Sequence, residues 1–207
     1  MTRILLLVAV LFSVLSCAHS QDRLNELTEQ ISIAAANADR VMATEVRESI
    51  TSDDLRGRRA WEFARLKVLA LSLLGEYPDA IAVMQTMAAR AENTSSALIA
   101  IGLLNRLQKQ EWEPPMSRAL EILQDSQPFE LSPQEATNLL YLQILLSDSP
   151  TRGEFVELQQ RVEEYAPGLP NVYANMTTEE LLDNPPISFV SSYVIPQRTD
   201  ANRERWW

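Results

Sequence analysis

The chain has 207 residues, with 18 Lys and Arg against 28 Asp and Glu, a formal net charge of −10, one histidine and one cysteine. An acidic balance of this size argues against the broad basic face that nucleic-acid phosphate demands. A single cysteine excludes a disulfide within the chain, so the fold has to rest on an apolar core, which a body of about 190 residues can supply.

The first segment has the three parts of a secretory signal: a basic start at Arg3, an apolar stretch from Ile4 to Phe12, and small residues near Ser16. Counted through Leu15 it stays short of the ~20 apolar residues of a membrane span. It closes on Val14-Leu15-Ser16-Cys17, which resembles the lipobox of bacterial lipoproteins. The resemblance implies removal of residues 1–16 as a signal peptide, acylation of the Cys17 thiol, and a lipidated tether over 17–22. Ala18 stands where inner-membrane lipoproteins of enterobacterial type often carry Asp, which by the same resemblance implies the outer membrane, facing the periplasm. Ala18-His19-Ser20 offers a rival cut before Gln21 that would release a soluble periplasmic or secreted product, and an uncleaved anchor is a third possibility. Removing residues 1–16 takes away only Arg3 among charged groups and leaves 17 basic against 28 acidic residues, a net charge of about −11. That disfavours simple electrostatic adhesion of the whole protein to anionic lipid, and leaves membrane attachment to the acyl chains.

Beyond the tether, residues 23–166 are expected to fold as a helical-repeat domain. Gln21 to Ser49 carries Leu24, Leu27, Ile31, Ala34 and Ala35 at three- and four-residue spacings, with Asn37-Ala38-Asp39 as the candidate break. Ser52 before Asp53 and Asp54 is the expected N-cap of the next helix. From Ala60 to Leu74 the helix is apolar on nearly every side, so it should lie centrally. Gly75 is suited to a left-handed C-cap, and Pro78 to the first turn of the following helix, whose face is Ala80, Met84, Met87 and Ala91. Ser95–Leu107 and a partner through Met116, Leu120 and Leu123 repeat the layout. So do Pro133–Leu145, opened by the capping box Ser132-Pro133-Gln134-Glu135, and a partner from Asp148-Ser149-Pro150 through Phe155, Leu158, Val162 and Tyr165.

Gly75-Glu76-Tyr77-Pro78-Asp79-Ala80-Ile81 resembles the junction of a tetratricopeptide repeat, with Gly75 and Tyr77 matching the turn and Ala80 the small residue where the helices cross. The first-helix half departs from that pattern: Ala64, Lys67 and Val68 occupy the positions of the consensus Trp, Leu and Gly. Second helices starting near residues 78, 114 and 150 recur at about the ~34-residue period of such repeats. The expected fold is therefore all-α, a short solenoid of tetratricopeptide-like hairpins, with an irregular helical bundle as the other arrangement the periodicity allows. Residues 167–207 hold five of the eleven prolines and form a Pro-rich tail. Within it, Ile187–Ile195 has strand-like spacing and Arg203-Glu204-Arg205-Trp206-Trp207 closes the chain. Trp206 and Trp207 are candidate partner-binding residues, because Trp and Arg are favoured where interfaces concentrate their binding energy.

The only histidine, His19, falls in the tether or the discarded signal, which takes His-based triads and His-ligated metals out of the mature domain. Glu48-Ser49 matches the catalytic pair of lytic transglycosylases, without a Gly-rich companion in a chain of five glycines. Arg56, Arg58 and Arg59, with Arg65 further on, form the densest basic cluster, read either as a face neutralised by Asp53, Asp54 and Glu62 or as a docking patch for an acidic partner. The expectation is a non-enzymatic, cofactor-free adaptor anchored in the bacterial envelope, whose partner is another envelope protein in outer-membrane or secretion-system assembly. A cell-wall-active enzyme or its regulator, and a periplasmic small-ligand binder, are the alternatives.

Overall fold

A computed structural model describes residues 2–90, 94–146, 151–165, 167 and 168, with side chains from residue 20 onward except that of Tyr165. The described part is all-α. Eight helices follow in order: α1 (Thr2–Asn37), α2 (Arg40–Ser49), α3 (Ala60–Leu74), α4 (Tyr77–Ala88), α5 (Thr94–Leu107), α6 (Glu113–Gln124), α7 (Pro133–Leu145) and α8 (Arg152–Tyr165), with a 3-10 turn at Pro128–Glu130. Ala91, Asp148–Pro150, the strand-like stretch at 187–195 and the rest of the chain after Gly168 lie outside the described residues. Among residues with described side chains, no helix is long and apolar enough to cross a membrane.

Local chemistry sets the breaks. α1 runs without interruption past residues 17–22 and stops where Ala38 takes the left-handed conformation, φ 53°. There the Asp39 N–H reaches back to the Ala34 carbonyl at 2.8 Å, and the Asp39 carboxylate caps α2 by accepting from the Val41 and Met42 N–H groups. α3 ends the same way on Gly75, φ 78°, with the Glu76 N–H bonded to the Leu71 carbonyl at 2.9 Å. α5 repeats the device with Lys109, φ 58°, and a Gln110 N–H to Asn105 carbonyl bond of 2.9 Å. Ser132 and Glu135 form the expected reciprocal capping box of α7.

Two starts differ from the sequence expectation. Ser52 caps nothing: Thr51 bonds Asp54 through both its N–H and its hydroxyl, residues 52–59 form turns, and α3 begins only at Ala60. α8 is opened by Thr151, whose N–H donates to Glu154 at 3.1 Å while the Glu154 N–H reaches the Thr151 hydroxyl at 3.4 Å. The second helices thus begin at Tyr77, Glu113 and Arg152, intervals of 36 and 39 residues.

Extensive helix pairing joins sequence neighbours, with α1 also resting on α3 and the 3-10 turn on α8. The core falls into two apolar clusters that meet at α3. Phe63, Leu66, Ala70, Leu73 and Leu74 pack with Leu24, Leu27 and Ile31 of α1 and Ala43 and Val46 of α2. Ala60, Ala64, Val68 and Leu71 join the larger cluster that continues through Ala80, Met84, Ile99, Leu103, Leu120, Leu140 and Leu158. A helix buried on both sides is what apolar residues on nearly every side of α3 demand, with Glu62, Arg65 and Lys67 the charged exceptions.

Candidate functional site

Three places carry polar chemistry. The first is an open groove of about 470 Å³ between α2, α3 and α4, floored by Ile50, Leu71 and Val83 and rimmed by Arg47, Glu48, Lys67, Glu76 and Asp79. The Arg47 guanidinium donates to both Glu76 oxygens at 2.8 Å and to Glu48 at 2.9 Å, and those two carboxylates raise its pKa. The Lys67 ammonium donates to the Ile50 carbonyl at 2.9 Å, at the C-terminal end of α2. Glu48 is thus one arm of a surface charge network.

The second is a smaller cavity of about 300 Å³ lined by Gln124, Ser126, Gln127, Pro128, Leu139, Gln143, Thr151, Glu154 and Leu158. Gln143 is 3 % exposed, and its side-chain carbonyl has no hydrogen-bond partner among the described residues. α7 also buries Asn138 and Thr137, and periodicity alone does not tell such buried polar positions from exposed ones.

The third is the junction of α1 with the turns at 51–59, which contains the predicted basic cluster. Arg59 donates to the Gln21 side-chain carbonyl. Arg23 grips Asp54 at 2.6 and 3.0 Å, donates to the Ser49 carbonyl, and lies 5.2 Å from the centre of the Phe63 ring. Burial pushes the Asp54 carboxyl up, but hydrogen bonds from Arg23 and Thr51 outweigh it and hold its pKa below the ordinary value. Asp54, expected to neutralise its neighbours in sequence, is therefore spent on Arg23. Arg56 meets only Asp53, at 3.9 Å, between side chains 76 % and 92 % exposed, and Arg58 is exposed with no hydrogen bond or ion pair among the described residues.

Arg56, Arg58 and Arg59 thus share one loop beside α1. The side chain of Cys17, and Trp206 and Trp207 altogether, lie outside the described residues. Sequence reading missed Arg23, Arg47 and Glu76, whose partners lie 31 and 29 residues away. Among the described residues, no three His, Cys, Asp or Glu side chains stand together as a metal site. No family model, curated protein or solved structure matches this chain.

Proposed function

We propose that this chain is a lipid-anchored adaptor of the bacterial envelope, held at the periplasmic side of the outer membrane through Cys17. Its helical hairpins stack as a short tetratricopeptide-like solenoid that presents a groove to another envelope protein. The observation that carries this reading is the α2–α3–α4 groove: it is open, it has an apolar floor, and charges of both signs stand on its rim. Such a surface suits an extended or helical peptide segment whose apolar side chains reach Ile50, Leu71 and Val83 while its charges are matched at the edge. The recurrence of helix pairs that pack on their sequence neighbours also supports a solenoid.

A cell-wall enzyme would need an enclosed carboxylate with a raised pKa. Asp54, the described carboxylate whose pKa is clearly displaced, is displaced downward by an ion pair. A small-ligand binder would use the Gln143 cavity, which at about 300 Å³ sits at the lower edge of ligand-pocket size.

A photo-crosslinker placed at Val83 or Asp79 in intact cells should give one discrete adduct. The same probe at Ser117, exposed on α6, should give none. Identical adduct patterns at the three positions would remove the groove from consideration. Fatty-acid labelling of the parent but not of a Cys17→Ala variant tests the anchor. Truncation after Asn202 tests whether Trp206 and Trp207 contribute to capture of the same partner.

A further inference from the structure

Cys17 precedes Gln21 by four residues and Arg23 by six, and both of those are held by the 49–59 segment, through Arg59, Asp54 and the Ser49 carbonyl. Four residues reach about 6 Å as helix and at most about 14 Å fully extended. An acylated Cys17 would therefore hold the 51–59 loop close to the bilayer surface rather than at the end of a long tether. We propose that this loop is a membrane-docking surface: Arg56 and Arg58, supported by Arg59, bind the phosphates of anionic lipid headgroups and fix the orientation of the domain on the membrane. The proposal rests on the lipid-anchor reading of Cys17.

The local charge favours this occupant even though the whole chain is acidic. Asp54 is matched by Arg23, and the Asp53–Arg56 pair is water-exposed at 3.9 Å, so it yields readily to a phosphate. Arg58 is exposed and has no ion pair among the described residues. On the loop itself three guanidinium groups then stand against Asp53 alone, an excess of two positive charges, while the exposed Asp22 and Glu62 on the flanking helices α1 and α3 offset it beyond the loop. Charges further away than about 8 Å are screened at physiological salt. A small excess suffices, because the acyl chains supply the affinity and the loop needs only to select an orientation. Guanidinium also matches phosphate oxygens in a two-point fork, which a compact ammonium does not.

Acylation of Cys17 leaves a cysteine at exposed Ser52 as the only free thiol of the chain. The full acylated protein is prepared as Ser52→Cys and, separately, as Ser117→Cys, each carrying a fluorophore. Each is reconstituted on vesicles of phosphatidylethanolamine, with or without about one-third phosphatidylglycerol, containing a headgroup-attached quencher. On the anionic vesicles, quenching at Ser52 should exceed that at Ser117 by about twofold or more, and the excess should vanish at high salt and in an Arg56→Gln/Arg58→Gln variant that still floats with the vesicles. A floated protein quenched equally at both positions, or an excess that survives the double substitution, overturns the proposal alone. An excess abolished by millimolar inorganic phosphate at constant ionic strength assigns the loop to free phosphate and likewise overturns it. A parent chain that does not float overturns the anchor reading and this proposal with it.

Discussion

Arg23 and Asp54 meet fork to fork, with Nη1 2.6 Å from Oδ1 and Nη2 3.0 Å from Oδ2, and so join α1 to the loop that precedes α3. The Asp54 pKa is lowered, so its contribution to stability is fully present above the ordinary carboxylate pKa and is lost as pH falls through the lowered value. Asp54→Asn should cost about 1–2 kcal/mol at pH 7, and the gap from the parent should close below about pH 4. Urea unfolding at neutral and acid pH measures both. A gap that stays constant would mean that the carboxylate's charge is irrelevant to the contact.

Ala38 and Gly75 occupy the same left-handed cap position, φ 53° and 78°, with different side chains. Ala38→Gly should relieve Cβ strain and raise stability by about 0.5–1 kcal/mol, whereas Gly75→Ala should lower it by about 1–2 kcal/mol. Opposite shifts of the denaturation midpoint confirm the shared cap. Losses of equal size in both variants would sink it.

Ala80 is fully buried in α4 within the larger cluster, one turn before Met84. Ala80→Leu should overpack this contact at a cost of about 1–3 kcal/mol, while Gln85→Ala, exposed on the same helix, should stay within about 0.5 kcal/mol of the parent. Indistinguishable unfolding midpoints for the two variants would show that α4 has room at Ala80.

Gly102 of α5 lies against the start of α6 with no room for a side chain. A Cβ there would lie 2.6 Å from Met116 Cγ and 3.2 Å from the Trp112 carbonyl oxygen. Gly102→Ala should therefore destabilise by about 1–3 kcal/mol despite the better helix propensity of alanine. Met116→Ala should recover part of that loss in the double variant, and a cycle without coupling would place the clash elsewhere.

Gln143 keeps a buried carbonyl without a partner among the described residues. Gln143→Met preserves the volume and removes the unpaired acceptor, so it should leave stability unchanged or raise it by about 1 kcal/mol. A loss of more than that, read by thermal unfolding, would mean that the amide is bonded in solution.

The helix order, the break at residues 37–39, the Gly75 cap and the Ser132–Glu135 box are legible in sequence because each is set by residues within one or two turns. The caps at Ala38 and Lys109 are not, since neither residue favours positive φ; backbone hydrogen bonds from the Asp39 and Gln110 N–H groups to the Ala34 and Asn105 carbonyls close the helices there. The Ser52 expectation fails for a related reason. Thr51 holds the Asp54 carboxylate in a turn through its N–H and hydroxyl, and Arg23 completes the site from far along the chain. The basic cluster itself is plain in the sequence, but its place beside Gln21 emerges only once α1 lies against the loop. The groove is hidden for the same cause, because Arg47 and Glu76 become neighbours only when α2 folds onto the α3–α4 corner.

α3 is a party wall. Phe63, Leu66 and Ala70 look into one cluster, and Ala64, Val68 and Leu71 into the other, across a single helix thickness. Neither compartment can melt while its neighbour stays intact without stripping one face of that shared helix. The energetic coupling between α1 and α2 on one side and the later helices on the other therefore passes through α3. Amide protons of α3 should be the last to exchange with solvent, and damage on either of its faces should be felt in both compartments.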